Sequence, residues 1–188
     1  MEHLNDYIMV QNLIPKQLCK SLIRETSSSE WSKHSWYNYG REDLQGVPEK
    51  ELDVLPSTPE QYKLLAPYIR TAIQNYQKKY TREEDQVNPV WITHISYVRF
   101  NRYKVGTLMK KHMDHIHSLF DGKLKGVPII SIVGLLNDNY EGGEFICRDK
   151  DFKMRRGDIL LFPSNFMYPH GVKEVTKGMR FSFVSWAF

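Results

Sequence analysis

The chain has 188 residues, of which 41% are hydrophobic and 26% are charged, and its formal net charge is +4 at pH 7. This length and composition are sufficient for one sizeable core, and they exclude a disordered or collagen-like chain. Basic and acidic residues are interspersed along the sequence, so the small positive charge does not predict a basic stripe for nucleic acid.

The cysteines and the apolar runs indicate the cellular compartment in which such a chain would function. The only two cysteines, Cys19 and Cys147, are far apart and predict neither a disulfide framework nor a cysteine zinc site. The N-terminus lacks the basic start and apolar core of a signal peptide, and no apolar run approaches the roughly 18 residues of a membrane span. We therefore expect a soluble, cytoplasmic protein with no membrane partner and no nucleic-acid partner.

The first half of the chain predicts two helices joined by a long loop. A short strand over 7–12 precedes a helix that has Pro15 near its start and ends at 26–29. Residues 31–56, rich in Trp, Tyr, Gly and Pro, predict an aromatic loop that could cover a pocket. A second helix begins at the capping residues 57–58 and repeats apolar side chains on one face, and Pro67 is expected to kink or split it.

From residue 91 onward the pattern changes to short β-type runs separated by Gly, Asp and Asn turns. These runs cover 92–103, 128–136, 144–148, 158–162 and 179–187. Such a succession is typical of an antiparallel sandwich or barrel, here a jelly roll. We predict one α+β domain over 1–188, with helical support and a lid loop in about 1–90 and the β core in about 91–188.

A histidine and a carboxylate stand two positions apart at His112 and Asp114. Alternate residues of an extended segment project to the same face, so both side chains could reach one metal ion, with His170 as a third ligand. Two histidines and one carboxylate leave coordination positions open, which suits iron(II), whereas zinc sites usually leave fewer free. The alternative is that His112 and Asp114 are merely solvated. His115 and His117 are predicted to be loop residues rather than ligands.

Arg180 lies on the predicted strand 179–187, on the same face as Ser182 and opposite to Phe181 and Phe183. An arginine that points into a barrel needs an anion. A dicarboxylate such as 2-oxoglutarate could chelate the metal at one end and pair with the guanidinium fork at the other. A surface arginine paired with a glutamate is the alternative.

Further motifs accompany these residues in the same half of the chain. They are Tyr97–Tyr103 with Gly106, then 130–137, Glu141-Gly142-Gly143-Glu144, 156–163, 170–172, and Trp186 after Arg180. With this order and spacing, residues 95–188 resemble the prolyl 4-hydroxylase-like group of Fe(II)- and 2-oxoglutarate-dependent oxygenases.

The resemblance implies a double-stranded β-helix, a form of jelly roll, with N-terminal supporting helices. It implies a catalytic iron bound by His112, Asp114 and His170, and 2-oxoglutarate bound by Arg180. The residues expected beside the co-substrate are Tyr103, Ser131 and Ser182, and Trp186 is expected near the substrate mouth. For Tyr103 and Trp186, a plain core aromatic is the alternative interpretation.

The resemblance also implies a dioxygenase reaction. 2-Oxoglutarate and O2 become succinate, carbon dioxide and a hydroxylated product, with ascorbate as a supporting reductant. The expected substrate is a prolyl residue of a peptide or protein, over which the aromatic loop 31–48 could close. The same chemistry on a free amino acid, another side chain or a small metabolite is the alternative, and a non-catalytic metal-binding β-sandwich module is an alternative of another class.

Overall fold

The computed structural model of the chain describes residues 3–38, 43–45, 50–80, 92, 94–114 and 128–188. Its helices are a 3-10 helix Leu4–Tyr7, helix α1 Lys16–Ser27 and helix α2 Pro59–Tyr80. In the described ranges, we find no helix long and apolar enough to cross a membrane.

Short antiparallel strands make up most of the remaining chain. In order they are β1 Met9–Asn12, β2 Ser32–Lys33, β3 Trp36–Asn38, β4 Asp43–Gln45, β5 Asp53–Pro56, β6 Arg99–Tyr103, β7 Met109–His112, β8 Ile130–Leu135, β9 Glu141–Gly142, β10 Phe145–Cys147, β11 Lys150–Phe152, β12 Asp158–Pro163, β13 His170–Val172, β14 Val175–Lys177 and β15 Arg180–Ala187.

Two sheets contain most of these strands. The major sheet has seven strands in the order β1-β12-β8-β15-β6-β5-β2, and the minor sheet has four in the order β11-β10-β13-β7. Strands β14 and β9 form one further pair, and β3 and β4 form another. The antiparallel sheets with N-terminal helices confirm the predicted α+β jelly roll of the double-stranded β-helix type.

The central strands of the major sheet place alternate side chains on its two faces, as the pleat of a β-strand requires. On one face, Leu161 and Phe183 join the apolar core beneath the helices. On the other face, Leu160 and Phe162 join a second apolar core together with residues of the minor sheet such as Phe145. The space between the two sheets is therefore lined by the inner face of each sheet.

Helix α2 supports the outer face of the major sheet. It begins with a reciprocal cap, in which the Gln61 backbone N–H donates to Thr58 Oγ1 at 3.2 Å and the Thr58 N–H donates to Gln61 Oε1 at 3.0 Å. Leu65, Ile69 and Ile73 then fall on one helical face and are buried in the outer core. Burial of this face stabilises the sheet that holds the site.

Helix α2 is continuous through Pro67, so the helix is not split there, and a kink at Pro67 stays a prediction. The proline ring lies on the exposed side of the helix, so it meets solvent rather than the sheet. Leu65 and Ile69 on either side remain buried in one core, which favours an unbroken helix despite the missing backbone donor. Thr71 Oγ1 donates to the Pro67 carbonyl at 3.0 Å.

The segment 31–56, predicted as a loop, contains four short strands. Strand β5 pairs with β6 of the major sheet, and β2 pairs with β5 as the outermost strand. Strands of two to four residues are too short to show a clear alternating pattern, and their hydrogen bonds come from partners distant in sequence. Strands β2 and β5 therefore extend the edge of the major sheet, and β3 and β4 form a separate pair, while 39–42 and 46–49 lie outside the described residues.

Candidate metal and co-substrate site

Two strands of the minor sheet bring the three predicted ligands together. His112 ends β7, His170 begins β13, and the two residues are direct partners in the pairing of these strands. Asp114 follows β7 by two residues. Ligand atoms of all three side chains lie within 4.8 Å of one another. Gly171 permits the close approach of the two strands, since a Cβ there would lie 2.6 Å from the Met109 carbonyl oxygen.

Hydrogen bonds orient both imidazole rings toward the aspartate. Nδ1 of His112 lies 2.9 Å from the Lys110 carbonyl oxygen, and Nδ1 of His170 lies 3.1 Å from the Tyr168 carbonyl oxygen. Each Nδ1 can therefore donate to a backbone carbonyl oxygen, which makes Nε2 the candidate metal-binding atom of each ring. Both Nε2 atoms lie 3.5 Å from an Asp114 carboxylate oxygen.

The Asp114 carboxylate is held by two donors from the major sheet. Ser131 Oγ on β8 donates to Asp114 Oδ2 at 2.7 Å, and Trp186 Nε1 on β15 donates to the same oxygen at 2.9 Å. Ser131 Oγ is also hydrogen bonded to Ser164 Oγ. Partners of this kind fix the direction of a metal ligand and are usually as necessary as the ligand itself.

Burial and mutual charge keep the ligands in the protonation states that a metal requires. Burial lowers the pKa of His170 to about 4, so its imidazole is neutral at physiological pH. Burial alone would raise the pKa of Asp114, but the hydrogen bond with His112, the electrostatic effect of the two histidines and the hydrogen bond from Ser131 hold that pKa well below its ordinary value. The cluster therefore offers a neutral His170 imidazole and an ionised Asp114 carboxylate.

Arg180 begins β15 directly opposite Tyr103 on β6, and only 1% of its surface is exposed. Its Nη1 donates to Ser182 Oγ at 2.7 Å, and its guanidinium carbon lies 5.0 Å from the centre of the Tyr103 ring. Burial raises the pKa of Tyr103, which keeps its hydroxyl group protonated. Among the described residues, no group accepts a hydrogen bond from the buried Arg180 Nε. A buried cation with an unused donor fits an anionic ligand.

One open cleft between the sheets joins the ligand cluster to Arg180. Its lining includes His112, Asp114 and His170 at one part, Arg180, Tyr103 and Ser182 at another, and Trp186. The donor set fits iron(II), because two histidines and one carboxylate leave adjacent positions open for other ligands. The unpartnered Arg180 Nε in the same cleft fits the distal carboxylate of 2-oxoglutarate.

The structure thus brings all eight predicted site residues into one region, but Ser131 lies beside the cleft and not in its lining. Ser131 contacts Asp114, so its hydroxyl orients a candidate metal ligand. His115 and His117, predicted to be loop residues, lie outside the described residues, as does part of the proposed lid over 31–48.

Sequence reasoning missed Arg99 and Asn101, which also line the cleft. Both stand on β6 at alternate positions before Tyr103 and share its inward face. The alternation 99, 101, 103 was the signal that could have revealed them, given that Tyr103 was already expected to point inward. Arg99 Nε donates to Asn101 Oδ1 at 3.2 Å.

The fold and the cluster define a class, namely jelly-roll proteins with a two-histidine, one-carboxylate metal site. Comparison with protein families agrees, because residues 98–188 match the 2OG-Fe(II) oxygenase superfamily. Through these residues the chain is similar to that superfamily, and its fold is that of solved prolyl hydroxylases. The name of the superfamily denotes proteins that use Fe(II), 2-oxoglutarate and dioxygen.

Curated relatives resemble part of the chain. A PKHD-type hydroxylase of Crocosphaera subtropica is 33% identical over 99 residues, which are 50% of this chain and 43% of the relative. Human prolyl 3-hydroxylase 2 is 41% identical over 58 residues, which are 27% of this chain and 8% of the relative. The chain spans less than half the length of these curated relatives.

Solved structures share the fold over nearly the whole chain. A prolyl hydroxylase from Trichoplax adhaerens, solved with a peptide fragment of a hypoxia inducible factor, has a TM-score of 0.70 and 16% identity, covering 96% of this chain and 83% of that one. A viral collagen prolyl hydroxylase from Paramecium bursaria Chlorella virus 1, solved with 2-oxoglutarate, has a TM-score of 0.66 and 14% identity, covering 96% and 94%.

Proposed function

We propose that this protein is an Fe(II)- and 2-oxoglutarate-dependent dioxygenase that hydroxylates an unactivated C–H bond, with a prolyl residue of a peptide or protein as its substrate. The observation that carries the proposal is the cleft itself. It has His112, Asp114 and His170 at one part and the buried, incompletely hydrogen-bonded Arg180 at another. A structural metal site alone would not require that arginine.

Each residue then has a defined task. His112, Asp114 and His170 would hold iron(II), and Ser131 and Trp186 would keep the Asp114 carboxylate in place. Arg180, with Tyr103 and Ser182 beside it, would bind the distal carboxylate of 2-oxoglutarate. Iron would supply the sites for the keto acid and dioxygen and the oxidation of the C–H bond. The apolar cleft walls, among them Val184 and Phe145, would exclude water.

The prolyl substrate is proposed from the activities for which relatives and structural neighbours are named, which are prolyl 3-hydroxylases and other prolyl hydroxylases. Free amino acids, other side chains and small metabolites would use the same core and are the alternative substrates. The position of hydroxylation is left to experiment, because relatives named for position 3 and neighbours named for position 4 both resemble this chain.

The test measures succinate formation from 2-oxoglutarate by anaerobically iron-loaded protein, with and without proline-containing peptides and with ascorbate present. Asp114→Asn is expected to abolish turnover, and Asp151→Asn, which changes an exposed aspartate on β11, is its matched control. Arg180→Gln is expected to raise the KM for 2-oxoglutarate strongly, so that excess 2-oxoglutarate restores part of the rate. Amino-acid analysis of the product peptide then distinguishes 3-hydroxyproline from 4-hydroxyproline.

Absence of both iron binding and 2-oxoglutarate consumption in the wild-type protein would reject the oxygenase proposal in favour of a non-catalytic module. Turnover of 2-oxoglutarate that proline peptides do not stimulate, compared with matched alanine peptides, would reject only the prolyl substrate.

A further inference from the structure

The cleft contains a second arginine that the proposed co-substrate does not use. Arg99 begins β6 and stands opposite Val184 of β15, while Arg180 stands opposite Tyr103 at the other end of β6. Four residues of strand separate the positions of Arg99 and Tyr103, which corresponds to about 13 Å. The two arginines therefore lie at opposite ends of the same inward face.

The contacts of Arg99 place it beside the candidate metal ligands. Its guanidinium carbon lies 5.8 Å from the centre of the Trp186 ring, and Trp186 Nε1 donates to Asp114 Oδ2 at 2.9 Å. The remaining direct partner is Asn101, a neutral side chain that accepts from Arg99 Nε. No carboxylate of the described residues forms an ion pair with Arg99. A partly buried guanidinium without a carboxylate partner leaves most of its donors available to a ligand.

2-Oxoglutarate bound at Arg180 cannot also satisfy Arg99. Its two carboxylates are the only anionic groups of that molecule. If one carboxylate pairs with Arg180 and the keto acid chelates the metal, no carboxylate of that molecule remains. An anion at Arg99 must belong to a different molecule, which reaches the metal from the side of Trp186.

We propose that Arg99 binds a carboxylate of the substrate, and that the enzyme therefore hydroxylates a compound with an anionic group close to the reacting carbon. The inference rests on the proposed oxygenase function and narrows its substrate class. The guanidinium fork would hold the carboxylate in a bidentate pair, and the Trp186 ring would contact the adjoining apolar part. Three sources supply this chemistry: a free amino acid, a peptide C-terminus and an acidic side chain.

The experiment measures binding to full-length protein loaded with Mn(II) and saturating 2-oxoglutarate, which allows no turnover. Calorimetry compares three matched pairs of probes. They are L-proline with L-prolinamide, glycyl-prolyl-alanine with its C-terminal amide, and acetyl-glutamyl-prolinamide with acetyl-glutaminyl-prolinamide. We expect at least one acid to bind about tenfold or more tightly than its neutral partner, as a charge-assisted pair requires. The preferred pair identifies the source of the carboxylate.

Three variants test whether Arg99 causes this preference. Arg99→Gln is expected to reduce the preference for the acid to within about twofold, and Arg99→Lys to retain part of it, because lysine keeps the charge but not the bidentate fork. Arg70→Gln, which removes an exposed arginine from α2, should leave the preference unchanged.

Two results would overturn the role of Arg99. One is the absence of any acid that binds better than its neutral partner, and the other is an Arg99→Gln variant that retains the full preference. Binding of Mn(II) and 2-oxoglutarate is measured first in the same titrations. Failure at that first step would reject the oxygenase proposal, whereas success there followed by either overturning result would reject only the carboxylate substrate.

Discussion

At the scale of single residues, two tryptophans make the same kind of hydrogen bond with different consequences. Trp186 Nε1 donates to Asp114 Oδ2, whereas Trp31 Nε1 donates to the Thr26 carbonyl oxygen at 2.9 Å, at the end of α1. Both are single indole donors, but only the first orients a candidate metal ligand. Substituting each tryptophan in turn separates the effect on the candidate site from the general loss of stability when an indole hydrogen bond is removed.

We predict that Trp186→Phe weakens metal affinity by about 10- to 100-fold, because it removes a donor that holds the ligand carboxylate. Trp31→Phe should leave metal affinity unchanged. The measurement is a Mn(II) or Fe(II) titration under anaerobic conditions for both variants. Equal metal affinity in the wild type and Trp186→Phe would show that Ser131 alone is sufficient to orient Asp114.

A second buried carboxylate, that of Asp53, is expected to affect the stability of the fold rather than the candidate site. Asp53 on β5 is nearly buried and contacts Lys33 and Lys104 at 3.0 Å and Arg102 at 2.9 Å. Burial alone would raise the pKa of Asp53, but hydrogen bonds from Lys104, Lys33 and Arg102 lower it below its ordinary value. The contribution to stability is therefore present above the pKa of the unfolded chain and is lost as the pH falls through the lower folded pKa.

Asp53→Asn is accordingly expected to lower the free energy of unfolding at pH 7 by about 1–3 kcal/mol, the usual value for hydrogen bonds to a charged group. The difference from the wild type should shrink as the solution is made acidic. Denaturant unfolding at several pH values provides the measurement, with the exposed Asp151→Asn as control. A difference that stays constant with pH would argue against an electrostatic origin.

At the scale of elements, helix α2 contains Pro67, a residue type that destabilises the interior of a helix. A proline inside a helix removes one backbone hydrogen bond and crowds the preceding turn, at a cost of about 3 kcal/mol. Pro67 nevertheless lies in an unbroken helix, because the buried face on both sides packs on one sheet.

Since Pro67 is exposed, Pro67→Ala should restore the missing hydrogen bond without disturbing the core. We expect the free energy of unfolding to rise by about 1–3 kcal/mol, the helix gain being partly offset by the greater entropy of the unfolded chain. Thermal and denaturant unfolding measure this change, and Arg70→Ala on the same exposed face is the control. A loss of stability would mean that the backbone geometry at Pro67 is required for packing on the sheet.

At the scale of the whole molecule, the metal site joins the two sheets. His112 and His170 belong to the minor sheet, while the donors that hold Asp114 come from β8 and β15 of the major sheet. An ion bound by all three ligands would therefore connect both layers of the fold. Unfolding must then release the ion, since the ligands are far apart in sequence and the unfolded chain offers no such site.

We predict that Mn(II) stabilises the wild-type protein against thermal unfolding, by an amount that rises with the logarithm of the free Mn(II) concentration above the Kd. At a free concentration 100-fold above the Kd, the expected gain is about 2.7 kcal/mol. A chelator should reverse the gain, and Asp114→Asn should show none. Thermal melts over a range of Mn(II) concentrations provide the measurement, and an equal shift in Asp114→Asn would place the stabilising ion elsewhere.

The sequence by itself determined the class of fold and predicted the principal candidate site residues. Period-two alternation around Phe181 and Phe183 predicted the strand that carries Arg180, and the spacing of His112 and Asp114 predicted a shared metal. These are local signals, because each depends on neighbours along the chain. The same reasoning predicted helical support and a jelly-roll core, both of which the structure confirms.

Only the tertiary structure decided which partners surround those residues. The donors Ser131 and Trp186 reach Asp114 from strands distant in sequence, and the lack of a carboxylate partner for Arg99 among the described residues becomes visible only when the sheets are assembled. The short strands β2–β5 were missed for the same reason. A hydrogen bond or an ion pair between distant segments leaves no periodic pattern in either segment. It therefore cannot be predicted from the local sequence of either segment.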